Sequence, residues 1–182
     1  MDAEAEEEFR EFVEARSPEL LRLAVLLSGG DRHAAEDLLQ SALIKVAARW
    51  HRIEDPEPYV RQVLYRQQIG RWRLRWRQRE VTVAAPPERG TGDASGGTEL
   101  RVLMRAALSR LTPRQRTVLV LRYFEDLPET EVARLLGCSV GTVRSTTHRS
   151  LAKLRGIAPE LEALRTGPDR PTSDLRPVEV AP

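Results

Sequence analysis

One cysteine, Cys138, occurs in 182 residues. A single thiol excludes an internal disulfide and leaves no cysteine cluster for zinc. Its place in a Gly-Cys-Ser turn suits a small packed side chain. No apolar run approaches the roughly 18 residues of a membrane-spanning helix. The first residues are acidic, with no cationic stretch before an apolar core, so no secretory signal is read there. The expectation is a cytoplasmic protein with no membrane contact. Glycine loops of the phosphate-cradling kind, Ser or Cys nucleophile motifs and paired-carboxylate signatures are all missing. His33 and Asp37 sit four apart on one helix, but no third ligand is spaced to complete a metal site. No catalytic residue, metal, cofactor or small-molecule substrate is expected, and the chain does not read as an enzyme.

Lysine is also scarce. Of 29 basic residues, only Lys45 and Lys153 are lysines, and the formal net charge is just +2. The distribution says more than the sum. The first nineteen residues hold eight acids against Arg10 and Arg16. Arg66 to Arg79 holds six arginines and no acid, and Arg101 to Arg155 holds eleven basic residues against four acids. Two separate basic patches suggest two contacts with a polyanion. Arginine suits phosphate and guanine edges through its planar fork, although a GC-rich genome gives the same bias.

Helical periodicity dominates, and the fold class expected is all-α: two small helical domains joined by a flexible linker. Phe9, Phe12 and Val13 mark a first helix, and Ser17-Pro18-Glu19 reads as a restart with Pro at the first helical position. Leu20, Leu21, Ala24, Val25 and Leu27 continue to Ser28-Gly29-Gly30. Asp31 caps a helix to about Trp50. Asp55-Pro56 and Pro58 mark a turn, and a long helix runs from near Pro58 to about Glu80. These elements form an expected bundle over residues 6–80. Residues 81–97 are rich in Pro, Gly, Ala, Ser and Thr and read as a linker. Fully extended, it reaches about 55 Å, and as a coil roughly 20–25 Å. A second helical module spans 98–156, and a Pro-rich tail, expected to be disordered, fills 157–182. Within the module, Thr112-Pro113-Arg114-Gln115 reads as a capping box launching a helix through Phe124.

Leu127 to Arg155 reads as two short helices around a tight turn. Val132, Leu135 and Leu136 form one apolar stripe, Gly137 ends the helix in a left-handed conformation, and Ser139 caps the next. Val140, Val143, Leu151 and Leu154 face inward. Thr142, Arg144, Ser145, Thr146, His148 and Arg149 are expected to point outward. Such a helix, turn and capped cationic helix is the layout of a DNA-binding helix-turn-helix, against the plainer reading of a helical hairpin. Pro128 stands where a hydroxyl cap would suit the first helix, and Thr147 lies near the inward face.

Two further segments carry chemistry. In Arg66 to Arg79, residues Tyr65, Ile69, Trp72 and Trp76 make one helical stripe. Trp72 either packs on the bundle or stacks on an unpaired base, and the arginines most simply neutralise phosphates. In Ala35 to Trp50, the residues Asp37, Gln40, Ser41 and Ile44 lie opposite the core stripe, as either a solvated face or a docking surface.

With these motifs in place, the chain resembles sigma factors of the sigma-70 family, in the extracytoplasmic-function group and its actinobacterial SigE-like subfamily. The resemblance covers about residues 9–155. DRHAAEDLLQSALIKVAARW is similar to the region 2 helix that binds the clamp helices of the polymerase β′ subunit. DPEPYVRQVLYRQQIGRWRLRWR is similar to the part that recognises and melts the −10 element. LTPRQRTVLVLRYFEDLPETEVARLLGCSVGTVRSTTHRSLAKLR looks like region 4, which reads the −35 element and docks on the β flap. Two positions depart from the family pattern: Ser41 replaces the usual acid after the Gln, and Arg66 stands where many members carry Asn. The resemblance implies core RNA polymerase and promoter DNA as partners, and an anti-sigma protein as a candidate third. It places Asp37, Leu38, Gln40 and Trp50 at or near the polymerase interface. Arg66, Arg71, Trp72, Arg73 and Arg75 would engage −10 DNA, and Thr142, Arg144, Ser145, His148 and Arg149 would lie in or beside the −35 major groove. The rivals are a stand-alone helix-turn-helix regulator, expected to be a dimer on half-sites about 34 Å apart, and a DNA-acting enzyme.

Overall fold

The computed structural model describes residues 3–81 and 99–157, and every regular element in that range is helical. The expected linker and tail therefore lie outside the described residues, apart from Val81 and Ile157, which end helices.

Helix α1 runs unbroken from Ala3 to Ser28, with Pro18 inside it. This corrects the expected restart. A proline in a helix interior costs about 3 kcal/mol. Leu20, Leu23 and Leu27 beyond it are almost fully buried, each adding roughly 1.5–3 kcal/mol. Phe9 and Phe12 before it pack on Trp50, with ring centroids 5.1 and 5.3 Å away. One continuous helix satisfies both ends, and tertiary burial outweighs the local rule. Gly29 and Gly30 close α1 at φ +76 and +88, a conformation that only glycine adopts without cost.

Helix α2 (Arg32–Ala47) is capped by Asp31, whose Oδ1 accepts the Ala34 N–H at 2.9 Å. After a 3-10 turn at Trp50–Arg52, helix α3 spans Pro56–Val81. Helix α4 covers Glu99–Ser109. The capping box forms as expected at the start of α5 (Pro113–Leu119): Thr112 Oγ1 accepts from Gln115 N at 3.2 Å, and Gln115 Oε1 accepts from Thr112 N at 3.1 Å. The helix does not continue regularly to Phe124. Val120–Phe124 widens into a π turn, with Glu125 N–H donating to Val120 O at 3.0 Å. The wider turn keeps Leu121 buried while leaving Tyr123 and Phe124 exposed.

Helices α6 (Glu129–Leu136) and α7 (Val140–Ile157) complete the chain. The two helical halves do not stand apart. Val118, Val120, Leu121, Val132, Leu136 and Val143 join the same buried cluster as Leu20, Leu27, Leu38, Leu64 and Ile69. A smaller cluster of Leu108, Leu111 and Leu119 lies beneath α4. Arg116 ties the halves from inside: it donates to Leu108 O at 2.9 Å, Leu111 O at 3.0 Å and Leu27 O at 3.4 Å. Burial lowers its pKa to about 10, yet the Leu27 and Leu108 carbonyls, in the last turns of α1 and α4, suit a cation. A Cβ at Gly29 would overlap this guanidinium, which gives that glycine a second reason.

Candidate nucleic-acid interface

The helix-turn-helix forms as its residues dictate. Gly137 takes φ +59, and Cys138 N–H returns to Ala133 O at 3.0 Å. Ser139 Oγ accepts the Thr142 N–H at 3.1 Å and contacts Thr142 Oγ1 at 2.9 Å. Pro128 occupies the N-cap of α6 and supplies no side-chain bond. Apolar Val132, Ala133, Leu136 and Val143 bury the inner faces, so α7 turns its polar side to solvent.

On that side Arg144, Ser145, His148 and Arg149 are exposed and Thr142 is half-buried. The face is internally braced. Arg144 Nε donates to Glu129 Oε2 at 2.7 Å, Ser145 Oγ to Thr142 O at 3.1 Å, and Arg149 Nε to Ser145 O at 3.2 Å. Thr146 is the correction here: it was expected outward but is buried, with its carbonyl accepting from Ser150 Oγ at 2.6 Å. Thr147 bears out its awkward placement, since its buried Oγ1 has no hydrogen-bond partner.

The second cationic surface lies on α3 and α2. Arg66 is exposed and Arg71 is half-buried, its Nη1 donating to Ala34 O at 3.3 Å. Trp72 packs partly against the core, and its buried Nε1 has no partner. Arg73 donates to Leu136 O at 2.5 Å and lies 5.8 Å above the Trp72 ring centroid. The Arg75 side chain lies outside the described residues. An open groove of about 900 Å³ separates α2 from α3, and Lys45, Arg49, Tyr59, Arg66, Gln67 and Arg71 line it. Its lining holds no acid, and the buried Gln67 Nε2 is without a partner. Gly70 has no neighbouring atom within 4 Å of where a Cβ would sit, so the groove wall stays low there. Lys45, Arg49, Tyr59 and Gln67 were missed from sequence. Lys45 and Arg49 fall four apart with Ser41 on one helix side, and that spacing was the available signal.

The four α2-side residues divide. Asp37 and Gln40 are exposed beside Ile44, which is 64% exposed. Leu38 and Trp50 are buried, Leu38 completely. The expectation that these two sit at a partner surface is corrected: they are core residues that fix the helix carrying Asp37 and Gln40. Among the described residues no helix is long and apolar enough to cross a membrane, and no group of three potential ligands could hold a metal.

Comparison with known proteins extends this geometry. Residues 101–154 match the family model described as "Sigma-70, region 4". The chain is 41% identical to the RNA polymerase sigma-E factor of Streptomyces coelicolor over 161 residues, covering 86% of this chain and 90% of that protein. It is 32% identical to the ECF RNA polymerase sigma factor ShbA of Streptomyces griseus, over 72% of this chain and 75% of that one. The fold is similar to that of the sigma factor RpoE of Bartonella quintana, solved in complex with the anti-sigma factor NepR. That match has a TM-score of 0.59 and 23% identity, and covers 84% of this chain and 97% of that chain.

Proposed function

Because the chain belongs to the sigma-70 family of RNA polymerase sigma factors, in the extracytoplasmic-function group, we propose that it is a dissociable promoter-specificity subunit with its two DNA contacts divided between its halves. The observation that carries the reading is the presence of two cationic faces on different helices of one chain: the α7 face and the α2–α3 groove. In this reading α7 enters the major groove of the −35 element. Arg144 supplies a guanine contact, while Thr142, Ser145, His148 and Arg149 reach phosphates or neighbouring bases. Arg66 and Arg71, joined by Lys45 and Arg49, neutralise the −10 backbone, and Trp72, Arg73 and Arg75 meet the opened strand. Asp37 and Gln40 face core polymerase from α2, with Ile44 as the apolar centre of that contact.

The role is non-catalytic, since the polymerase performs the chemistry, and the proposed site of action is the cytoplasm. Domain limits of 6–80 and 98–156 follow the same division. An anti-sigma protein such as the one solved with the Bartonella relative completes the set of proposed partners. Run-off transcription with purified chain and core polymerase tests the whole. Promoter-dependent transcripts are expected on some genomic templates. Their absence from every template, with the chain folded, sinks the proposal. Operator binding by a dimer without polymerase would instead favour a stand-alone regulator.

A further inference from the structure

The groove between α2 and α3 contains two features that the isolated fold does not need. The first is Gly70, inside the 26-residue helix α3. A glycine in a helix interior destabilises it relative to alanine, so its presence calls for a reason. Backbone conformation supplies none, since the positive-φ glycines are Gly29, Gly30 and Gly137. Packing supplies none either. Gly70 is exposed, and a Cβ placed there would meet no atom within 4 Å. The chain has room for a side chain at this position and carries none.

The second is Gln67, one turn earlier on the same side of the helix. With Val63, Arg66 and Gly70 it lines the groove, at the spacing that puts residues on one helix face. Its amide nitrogen is buried and has no acceptor, an arrangement that lowers stability. The adjacent Gln68 shows that the fold can satisfy such a group, because its amide donates to Leu27 O at 2.8 Å. A bare stretch of helix beside an unused donor is what another chain passing close to α3 requires. The charge of the walls identifies that chain. Lys45 and Arg49 line the groove from α2 and Arg66 and Arg71 from α3, with no acid among the lining residues. Such a setting suits a polyanion, and Tyr59 adds a ring on which a base can stack. A space of about 900 Å³ admits nucleotides of one strand but not a duplex.

We infer that Gly70 is the point at which one unpaired DNA strand crosses α3. The sugar–phosphate backbone lies directly on the helix there, Gln67 donates to it, and Lys45, Arg49, Arg66 and Arg71 neutralise the flanking phosphates. This deepens the proposed −10 contact and rests on that reading for the identity of the strand. Gly70 and Gln67 are positioning residues, and each lowers the stability of the free chain. Substitutions that fill the gap or remove the donor therefore stabilise the protein while weakening its hold on the strand.

Gly70→Ala and Gly70→Leu in the full-length chain add a side chain to the gap without demanding a new backbone conformation. Both should raise Tm by a few degrees, because alanine and leucine are better helix formers than glycine. Both should weaken binding of a short fluorescent oligothymidine at low salt, several-fold for Ala and more for Leu. In holoenzyme, on a template that the parent chain transcribes, permanganate reactivity of the opened −10 thymines should fall in the same order. Gln67→Leu should also raise Tm and weaken the strand several-fold. In the Gly70→Leu background it should add no further loss, because the strand no longer reaches it. Gly156→Ala, at a second helical glycine with no atom within 4 Å, is the control and should leave oligothymidine binding unchanged. Circular dichroism establishes that each variant is folded.

Three results overturn the inference. One is a parent chain that holds no single strand, either alone or with polymerase. Another is strand binding or −10 reactivity that stays at the parent level in Gly70→Leu. The third is a Tm that falls together with binding, which would make the glycine a requirement of folding. If oligothymidine binding weakens as expected but no template is ever transcribed, the crossing point is real and the sigma-factor proposal is what fails.

Discussion

Tyr65 carries the most distinctive charge environment of any single side chain described. Burial, and then the hydrogen bond to Glu125, push its phenol far above the ordinary value of 10.0. For the neighbouring Arg61, burial pulls the pKa down, but three carboxylates outweigh it and the net shift is upward. A folded phenol that holds its proton more tightly than the unfolded one binds more protons in the native state. Its contribution is fully present below pH 10 and is lost as pH rises past that value. Denaturant unfolding followed between about pH 9 and 11 should show stability falling in the parent chain and a flatter profile in Tyr65→Phe. Parallel profiles would mean that the phenol is not held in this way. None of this was legible in the sequence. Tyr65 read only as the first member of an aromatic stripe, and periodicity says nothing about an acid sixty residues away. Leu38 shows the converse. Its spacing already marked it as core, and the structure sides with the spacing over the family resemblance.

Caps are where elements were most legible, because a cap is a local bond closed within three or four residues. Asp31, the Thr112–Gln115 box, Gly137 and Ser139 all do what their order in the chain implies. Pro18 and the π turn at Val120–Phe124 were not legible, for both are decided by what the helix packs against. Gly137 allows a direct test of the cap. At φ +59 an L side chain is strained by about 1–2 kcal/mol, and a Cβ would sit 3.1 Å from Arg73 Nη2. Gly137→Ala should therefore lower stability by roughly 1–2 kcal/mol, or about 2–4 °C in Tm per kcal/mol for a chain of this size. Gly137→Asn should cost less, since Asn tolerates the left-handed region. Thermal melts that rank Asn no better than Ala would place the cost in the Arg73 contact rather than the backbone.

At the scale of the molecule, the partition of charge and the helix-turn-helix pointed to two cationic surfaces, while the shared core that packs one half on the other could not be read from residues 6–156. Such packing depends on long-range fit between elements far apart in the chain. That arrangement bears on how well α7 can discriminate by itself. Arg144 must give up its 2.7 Å bond to Glu129 to reach a base. An exposed ion pair of this kind is worth about 0–1 kcal/mol, against about 1–3 kcal/mol for a bidentate base contact. The surplus in the free chain is small. On the proposed division of contacts, the polymerase and the −10 contacts would hold α7 at high effective concentration over its site in holoenzyme, so the same surplus would sort promoters. Competition between a cognate and a scrambled −35 template should show weak preference for the chain alone and strong preference for holoenzyme. Arg144→Ala should then remove about 1–3 kcal/mol of the holoenzyme preference. A uniform loss on both templates, accompanied by a shallower salt dependence, would place Arg144 on a phosphate instead.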